Sequence, residues 1–329
     1  MSEPVQSILL SVVVPTYRRP DLLSRCLQAL LGQDFPPNAY EIIVCDDGVD
    51  AETRQLVLAL DGPDGSRPRV RYLAAEYTHG PAAARNLGWR AAQGRIIAFT
   101  DDDTVPAPDW LSQGMLALRP GVQAAAGATE MPISSNPTDY ERDAAGLTRA
   151  EFITANCFVR RGALEEVGGF DGRYTMAWRE DSDLFFTLLE RGMEVVRAPL
   201  ARVLHPVRPA PFAVGLRMQK KVMFDVLLYR KHPRLYRARV RPGPPWFYLS
   251  IALSLAAAAV AALAAYWMAA AALFAIWLGL TAYFFLRRLD GVSREPVHVA
   301  ELALTSAAIP VLSIAWRLVG MARYGARFP

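Results

Sequence analysis

The chain has little cysteine, and it lacks the motifs of two large classes of nucleotide-binding protein. Its 329 residues include three cysteines, Cys26, Cys45 and Cys157, which are far apart and form no Cys-x-x-Cys pair. This usage suits reduced thiols in a cytosolic domain and argues against a zinc site. No Gly-x-Gly-x-x-Gly follows the first apolar run, and no P-loop occurs. The absence of these motifs therefore argues against a dinucleotide dehydrogenase and against a P-loop NTPase.

The N-terminal region does not have the pattern of a secretory leader. Residues 8–14 are apolar, but no basic region precedes them and no small-residue cleavage site follows. We therefore expect no signal peptide, and we expect the first 245 residues to remain in the cytosol.

A long run without charge lies in the last third of the chain, since residues 246–286 contain no charged side chain. At ~1.5 Å per residue, the run is about twice as long as a single membrane crossing requires. It predicts two transmembrane helices, at about 246–264 and 267–286, with aromatic residues near the membrane interfaces. A helical hairpin buried in a soluble core is the alternative, but such helices rarely lack a polar face over this length.

A third apolar segment, residues 297–320, is a weaker candidate because it contains Glu301 and Pro310. Two crossings would return the chain to the cytoplasm near Arg287, and a third would place the basic tail outside, against the usual preference of arginine for the cytoplasmic side. The sequence therefore favours an interfacial or re-entrant helix here, and a transmembrane helix is the alternative.

Basic residues dominate the stretch that precedes the first predicted span. Between residues 202 and 241 the only acid is Asp225, among many lysines and arginines. A basic stretch beside a membrane span is typical of a segment that lies on anionic lipid headgroups, here those of the inner leaflet. We therefore assign residues 206–245 to basic juxtamembrane or interfacial helices. The adjacent spans disfavour the rival interpretation, a nucleic-acid interface, and we expect no nucleic-acid partner.

The first half of the chain alternates strand-like and helix-like segments. Apolar strands are predicted at 8–14, 40–45, 70–73 and 95–100, with helices between them at 20–31, 51–60 and 81–92. This alternation is typical of βαβ units in a mostly parallel α/β sheet with helices on both faces. Residues 131–150 are rich in proline, serine and asparagine and are predicted to form a loop of the length of a substrate lid.

Polar residues follow the predicted strands at the edge where α/β sheets bind ligands. Asp101, Asp102 and Asp103 directly follow the fourth strand. Such a cluster is costly to bury without a positive partner, and Mg²⁺ or Mn²⁺ suits carboxylate oxygens that share a substrate phosphate. The alternative is a solvated acidic turn. The first two strands are followed by Pro15-Thr16-Tyr17-Arg18 and by Asp46-Asp47-Gly48.

Six ordered motifs within residues 8–205 resemble the family-2 glycosyltransferases of the GT-A fold. They are Val12-Val13-Val14-Pro15-Thr16-Tyr17-Arg18, Ile43-Val44-Cys45-Asp46-Asp47-Gly48, Gly80-Pro81-Ala82-Ala83-Ala84-Arg85-Asn86, Phe99-Thr100-Asp101-Asp102-Asp103, Gly168-Gly169-Phe170-Asp171 and Glu180-Asp181-Ser182-Asp183. The resemblance implies a GT-A catalytic domain over residues 1–205, and it does not reach the membrane region at 246–329.

The resemblance also implies which residues hold a nucleotide-sugar donor. They are Pro15, Thr16, Tyr17, Arg18, Asp46, Asp47, Arg85, Asp101 and Asp102. Asp46 would hold the base or ribose, although an Asp-Gly turn explains it equally well when taken alone. Arg85 would bind the diphosphate together with the N-terminus of its helix, and a surface arginine is the alternative.

For the metal, the resemblance implies Mg²⁺ or Mn²⁺ on Asp103, with Asp101 on the ribose or sharing the metal. Asp102 can replace either in this assignment. His205 would add a further metal or pyrophosphate contact, and a structural histidine is the alternative. Asp181 corresponds to the general base, with Asp183 as the second choice. Carboxylates in a first helical turn also stabilise the helix dipole without a catalytic role.

Together these features predict a metal-dependent, inverting glycosyltransferase anchored in the inner or plasma membrane by several passes, with its catalytic domain in the cytoplasm. The donor would be a nucleotide-diphosphate sugar, with a UDP-sugar preferred. The acceptor would be a hydroxyl or phosphate at the cytoplasmic face, on a lipid-linked or cell-envelope glycan. A metal-dependent nucleotidyltransferase and a non-catalytic membrane scaffold of the same fold are the alternatives.

Overall fold

A computed structural model describes residues 8–61, 67–77 and 79–327, and in it the chain separates into two units. The first comprises Met1–Pro132 and Gly146–Pro206, and the second comprises Ile133–Ala145 and Val207–Pro329. A short segment from the middle of the chain thus groups with the C-terminal helices. The sequence gives no sign of this, because the segment is too short and too polar to show a pattern of its own.

The described residues of the first unit form an eight-stranded sheet in the order β3-β2-β1-β4-β7-β6-β8-β5. The strands are β1 Leu10–Thr16, β2 Tyr40–Asp46, β3 Arg69–Ala74, β4 Ile96–Thr100, β5 Val105–Pro106, β6 Val122–Glu130, β7 Asn156–Arg160 and β8 Glu194–Leu204. Strands β3, β2, β1 and β4 are parallel, β7 is antiparallel to both its neighbours, and β8 is parallel to β6. The predicted α/β class is confirmed.

Helices accompany the strands and continue through the second unit. They are α1 Pro20–Leu31, α2 Ala51–Leu60, α3 Pro81–Ala91, α4 Trp110–Ala117, α5 Asp139–Ala144, α6 Arg161–Val167, α7 Glu180–Glu190, α8 Val214–Met218, α9 Met223–Lys231, α10 Pro233–Arg239, α11 Trp246–Leu263, α12 Trp267–Leu289 and α13 Pro296–Tyr324. Proline begins α1 and α3, where its missing N–H costs nothing. The Asp50 carboxylate caps α2 by accepting from the Thr53 N–H at 2.9 Å.

The core of the first unit is made by the central strands, and a buried asparagine fixes one end of the sheet. All seven residues of β1 and of β2 are buried. Asn156 donates to the carbonyls of Ala128 and Ala201 at 2.8 and 2.9 Å and accepts from the Trp110 indole N–H at 2.8 Å. It therefore ties β6, β7, β8 and α4 together. Gly127 leaves room for this side chain, since a Cβ there would lie 2.2 Å from the Asn156 Oδ1.

The apolar helices of the second unit match the sequence prediction. The described residues contain three helices long and apolar enough to cross a membrane, and α11 and α12 correspond to the two predicted spans. Helix α13 differs, because 44% of its most apolar window is buried within the structure, against 17% and 11% for α11 and α12. Its buried face includes polar side chains, and Arg317 pairs with Asp225 of α9 at 3.2 Å. Such a face suits packing against protein better than contact with lipid.

The segment 133–145 is held to α12 and α13 by charged groups. The Arg288 guanidinium donates to the Asp139 carboxylate at 2.8 Å and to the hydroxyls of Thr305 and Ser306 at 2.9 and 3.0 Å. The Asp139 N–H donates to the His298 Nε2 at 3.1 Å. The predicted loop at 131–150 therefore contains a helix, α5, and hydrogen bonds hold this helix to α12 and α13 of the second unit.

This network makes a measurable prediction about the stability of the second unit. Asp139 and Arg288 have side chains that are only 21% and 14% exposed, so removing one deprives the other, partly buried charge of its shortest ion pair. We expect Asp139→Ala and Arg288→Ala each to destabilise the protein, and their coupling in a double-mutant cycle to be about 0.5–3 kcal/mol. Thermal unfolding in detergent measures it. Arg287→Ala is the control, since Arg287 is exposed, and an equal effect at both arginines would contradict the assignment.

Candidate functional site

Three side chains that could hold a metal converge at the carboxyl end of β4. Asp101 and Asp103 follow β4, and His205 follows β8. The His205 N–H donates to the Glu130 carbonyl at 2.8 Å, which continues the pairing of β8 with β6 and brings the imidazole to the acids. One ligand atom from each of the three lies within 4.8 Å of the others. Residues about 100 positions apart in sequence thus form one cluster.

The donor atoms of this cluster fit a divalent cation. The two carboxylates supply the oxygen ligands that Mn²⁺ and Mg²⁺ prefer, and the imidazole nitrogen suits a transition metal such as Mn²⁺ better than Mg²⁺. The His205 Nε2 lies 3.6 Å from the Asp103 Oδ1, and its Nδ1 is buried without a hydrogen-bond partner in the described part of the chain. Arginines balance the acids: Arg85 Nη2 lies 2.6 Å from Asp101, and Arg19 Nη1 lies 3.6 Å from Asp103.

Asp102, the middle acid of the triplet, is not part of the cluster of Asp101, Asp103 and His205. Asp102 accepts a hydrogen bond from the Thr16 hydroxyl at 2.7 Å and pairs with Arg19 at 3.3 Å. Burial raises the pKa of Asp102 to about 6, and the neighbouring acids add to this, while Arg19 and the Thr16 hydrogen bond oppose it. The sequence left open whether Asp101 or Asp102 accompanies Asp103, and the structure groups Asp101 with Asp103 and His205.

Arg19, which the sequence analysis did not select, is the arginine of the first loop that reaches the acids. The neighbouring Arg18, which was selected, stacks on the Tyr17 ring at 5.4 Å. The only signal for Arg19 was its place in the same loop, directly before the proline that begins α1. Which of two adjacent arginines faces the acids depends on the backbone, and Arg18 adopts a left-handed φ of 50°.

Asp46, the last residue of β2, and Asp47, which follows it, accept hydrogen bonds from neighbouring groups. Asp46 is fully buried and accepts from the N–H groups of Gly48 and Asp50 at 2.8 and 2.7 Å, and from the Tyr72 hydroxyl at 2.9 Å. Asp47 accepts from the Gly80 N–H at 2.9 Å, directly before α3. Asp46 therefore shapes the turn at this strand end, and Asp47 joins the turn to the start of α3.

Strained backbone recurs in the segments that carry the site. Arg18 after β1, Val49 after β2 and Arg179 before α7 have φ of 50°, 47° and 76°. Left-handed backbone is uncommon for residues with a Cβ and is a genuine outlier for a β-branched valine. Each such residue costs of order 1–3 kcal/mol, and strain of this kind clusters at functional sites. The strained residues Arg18, Val49 and Arg179 lie in the same segments as residues of the site.

Arg85 is buried rather than a surface arginine, with 3% of the residue exposed. Its Nη2 pairs with Asp101 at 2.6 Å, its Nη1 pairs with Glu180 at 3.1 Å, and its guanidinium carbon lies 5.9 Å from the centre of the Phe170 ring. The next residue, Asn86, donates to the Phe170 carbonyl at 2.7 Å and accepts from the Phe170 N–H at 2.9 Å. These contacts join α3 firmly to the loop after α6.

The acids in the first turn of α7 have distinct environments. Asp183 is buried and accepts a hydrogen bond from the Tyr174 hydroxyl at 3.2 Å. Asp181 accepts from the Ser182 N–H at 2.6 Å, and burial raises its pKa, opposed by that hydrogen bond and by Arg179 and Arg85. Burial also raises the pKa of Glu180 to about 7, against the attraction of Arg85. The sequence motif indicates a role for Asp181 or Asp183 but none for Glu180.

Two known glycosyltransferases are similar in sequence to part of this chain. The chain is 29% identical over 170 residues to the glycosyltransferase AglE of Haloferax volcanii. The matched region is 49% of this chain and 55% of that protein. It is 35% identical over 97 residues to the UDP-Glc:alpha-D-GlcNAc-diphosphoundecaprenol beta-1,3-glucosyltransferase WfgD of Escherichia coli, covering 30% of this chain and 36% of that protein. The chain thus spans about half, or less, of the length of these relatives.

A solved structure extends the similarity beyond the matched sequences. The mannosyltransferase PcManGT of Pyrobaculum calidifontis, in complex with GDP-Man and Mn²⁺, has a TM-score of 0.59 at 22% identity, covering 94% of this chain and 86% of that one. Two family models match the chain: Glycosyl transferase family 2 over residues 11–177 and Glycosyl transferase family group 2 over residues 96–286. The predicted resemblance is confirmed, and the chain belongs to glycosyl transferase family 2.

Proposed function

We propose that the protein transfers a sugar from a nucleotide-diphosphate sugar, with a UDP-sugar preferred, to a hydroxyl or phosphate acceptor at the cytoplasmic face of a membrane. One observation carries the proposal: Asp101, Asp103 and His205 meet at the sheet edge, and Arg85 joins Asp101 to the first turn of α7. Arg85 therefore connects the residues that would bind a metal and a diphosphate to the helix that carries the proposed base.

On the donor side, residues at the ends of several strands would bind the nucleotide sugar. The loop after β1, with Pro15, Thr16, Tyr17 and Arg18, and the turn after β2, with Asp46 and Asp47, would hold the nucleotide. A divalent cation on Asp101, Asp103 and His205 would supply charge for the leaving diphosphate. Arg85 and the N-terminus of α3 would add further positive charge near the diphosphate.

On the acceptor side, Asp181 would remove the proton of the acceptor hydroxyl as the hydroxyl attacks the anomeric carbon. A single base opposite the leaving group gives inversion of configuration, with no carboxylate nucleophile. The raised pKa of Asp181 suits a base, because a more basic carboxylate accepts a proton more readily. Asp183 suits the role less well, since its carboxylate is buried and hydrogen-bonded to Tyr174.

The membrane helices suggest the class of acceptor. Helices α11 and α12 are long and apolar enough to cross a membrane, and a basic stretch precedes them. The E. coli relative is named for a diphosphoundecaprenol acceptor. We therefore propose a lipid-linked or cell-envelope glycan as acceptor and a multi-pass location in the inner or plasma membrane.

A test of the donor and the metal uses the purified full-length protein with a panel of nucleotide sugars. We expect release of nucleoside diphosphate in Mn²⁺ or Mg²⁺ and its loss in EDTA. Asp103→Asn should weaken Mn²⁺ binding, measured by electron paramagnetic resonance, because it removes a charged ligand, while Asp21→Asn at the exposed start of α1 should not. Full activity in EDTA would contradict metal dependence. Release of pyrophosphate from a nucleoside triphosphate would favour a nucleotidyltransferase instead.

A test of the base compares Asp181→Asn with Asp183→Asn. The first should lower kcat by ~10² or more, the usual scale of general base catalysis, and leave donor affinity nearly unchanged. Because Asp181 acts ionised and its pKa is raised, wild-type kcat/KM should fall as the pH drops through that raised pKa. Asp181→Asn should change this acidic limb, and what remains of it would belong to Glu180, whose pKa burial raises to about 7. A larger kcat loss in Asp183→Asn would move the base to Asp183.

A test of the topology uses single cysteines and an impermeant thiol reagent on intact cells. The three native cysteines are buried, so they need not be removed. A cysteine replacing the exposed Tyr266, between α11 and α12, should be labelled from outside, because two spans place that turn across the membrane. A cysteine replacing the exposed Asp290 should be labelled only after lysis. The reverse pattern would reject a cytoplasmic catalytic domain.

A further inference from the structure

Glu180 has no part in the proposed chemistry, yet it is among the most buried acids of the site. It is 4% exposed, and its Oε1 lies 3.1 Å from the Arg85 Nη1. The other nitrogen of that guanidinium, Nη2, lies 2.6 Å from the Asp101 Oδ1. One arginine thus bridges an acid on the donor side to the first residue of the helix that carries Asp181.

The bridge leaves polar atoms unused. Arg85 Nε and Glu180 Oε2 are buried and have no hydrogen-bond partner in the described part of the chain. Leaving such atoms unpaired in the interior costs about 1–3 kcal/mol each, and more when the group is charged. The bridge therefore has spare hydrogen-bonding capacity on both of its partners, which suits a contact that changes when a ligand binds.

The two ends of the bridge lie in different surroundings. Helix α3, which carries Arg85, is fixed by the two hydrogen bonds between Asn86 and Phe170. On the other side, Glu180 follows Arg179, whose φ of 76° marks a strained junction at the start of α7. Because Glu180 is the first residue of α7, a change at the bridge acts directly on the turn that carries Asp181.

We propose that Glu180 is a positioning residue that holds Arg85 through the reaction and links donor binding to the placement of Asp181. The inference rests on the proposed function. When the donor engages Asp101, Arg85 loses one of its two anions, and its Nη2 becomes available to a phosphate oxygen. Glu180 then remains as the anion that keeps Arg85 in place. The strength and direction of the Arg85–Glu180 contact then change. Because Glu180 and Asp181 are adjacent in one helical turn, this change alters the position of Asp181.

The test measures whether nucleotide binding is felt at α7. Wild type and Glu180→Gln are compared by hydrogen–deuterium exchange over residues 174–190, with Mn²⁺ alone and with Mn²⁺ plus UDP or GDP. We expect nucleotide to change exchange in the first turn of α7 in wild type and not in the variant. Nucleotide affinity should fall about tenfold in the variant, the scale of one hydrogen bond to a charged group. Glu190→Gln, at the exposed end of the same helix, should behave as wild type.

A second variant guards against a folding defect, which the melting temperature of each variant would reveal. Arg85→Lys keeps the positive charge but cannot bridge two acids as a guanidinium does, and it should lose the same response of α7. A Glu180→Gln protein with wild-type affinity and a wild-type α7 response would overturn the inference, as would a wild type that binds nucleotide without any change at α7. A wild type that binds Mn²⁺ but neither nucleotide would instead overturn the proposed function, and the inference with it.

Discussion

The burial of several carboxylates at one edge of the sheet is the constraint on which the site depends. Like charges in a low-dielectric setting repel one another, and burial is the largest cause of the raised pKa of Asp102, Glu180 and Asp181. The fold offsets this cost with Arg19 from the loop before α1, with Arg85 from α3 and with His205, which directly follows β8. Strained backbone at Arg18, Val49 and Arg179 in the surrounding segments adds a further cost in stability.

Arg85 shows how one side chain can organise such an edge. It is buried between Asp101 and Glu180, so its charge serves both the donor-side cluster and the helix that carries Asp181. A lysine could neutralise one of these acids but could not meet both with the fixed geometry of a guanidinium. The position of α3 matters equally, because hydrogen bonds between Asn86 and Phe170 hold the helix where Arg85 can reach both partners.

The second unit follows a different principle. Its apolar helices α11 and α12 are explained by hydropathy alone, but α13 buries polar groups on one face, including Arg317 against Asp225. The segment 133–145 is attached to the same unit by Asp139 and Arg288. Paired charges at such positions give few alternatives for how the helices can pack, because any other register would bury them unpaired.

The sequence by itself determined what depends on neighbours along the chain. Alternating apolar runs and helical patterns specify the α/β class, strand ends specify where Asp101 and Asp103 lie, and the uncharged run specifies α11 and α12. Only the tertiary structure decided the antiparallel insertion of β7, the choice of Arg19 over Arg18, the diversion of Asp102 to Thr16, and the pairing of Arg85 with Glu180. These depend on backbone direction and on contacts between residues up to about 100 positions apart, for which a local pattern carries no signal.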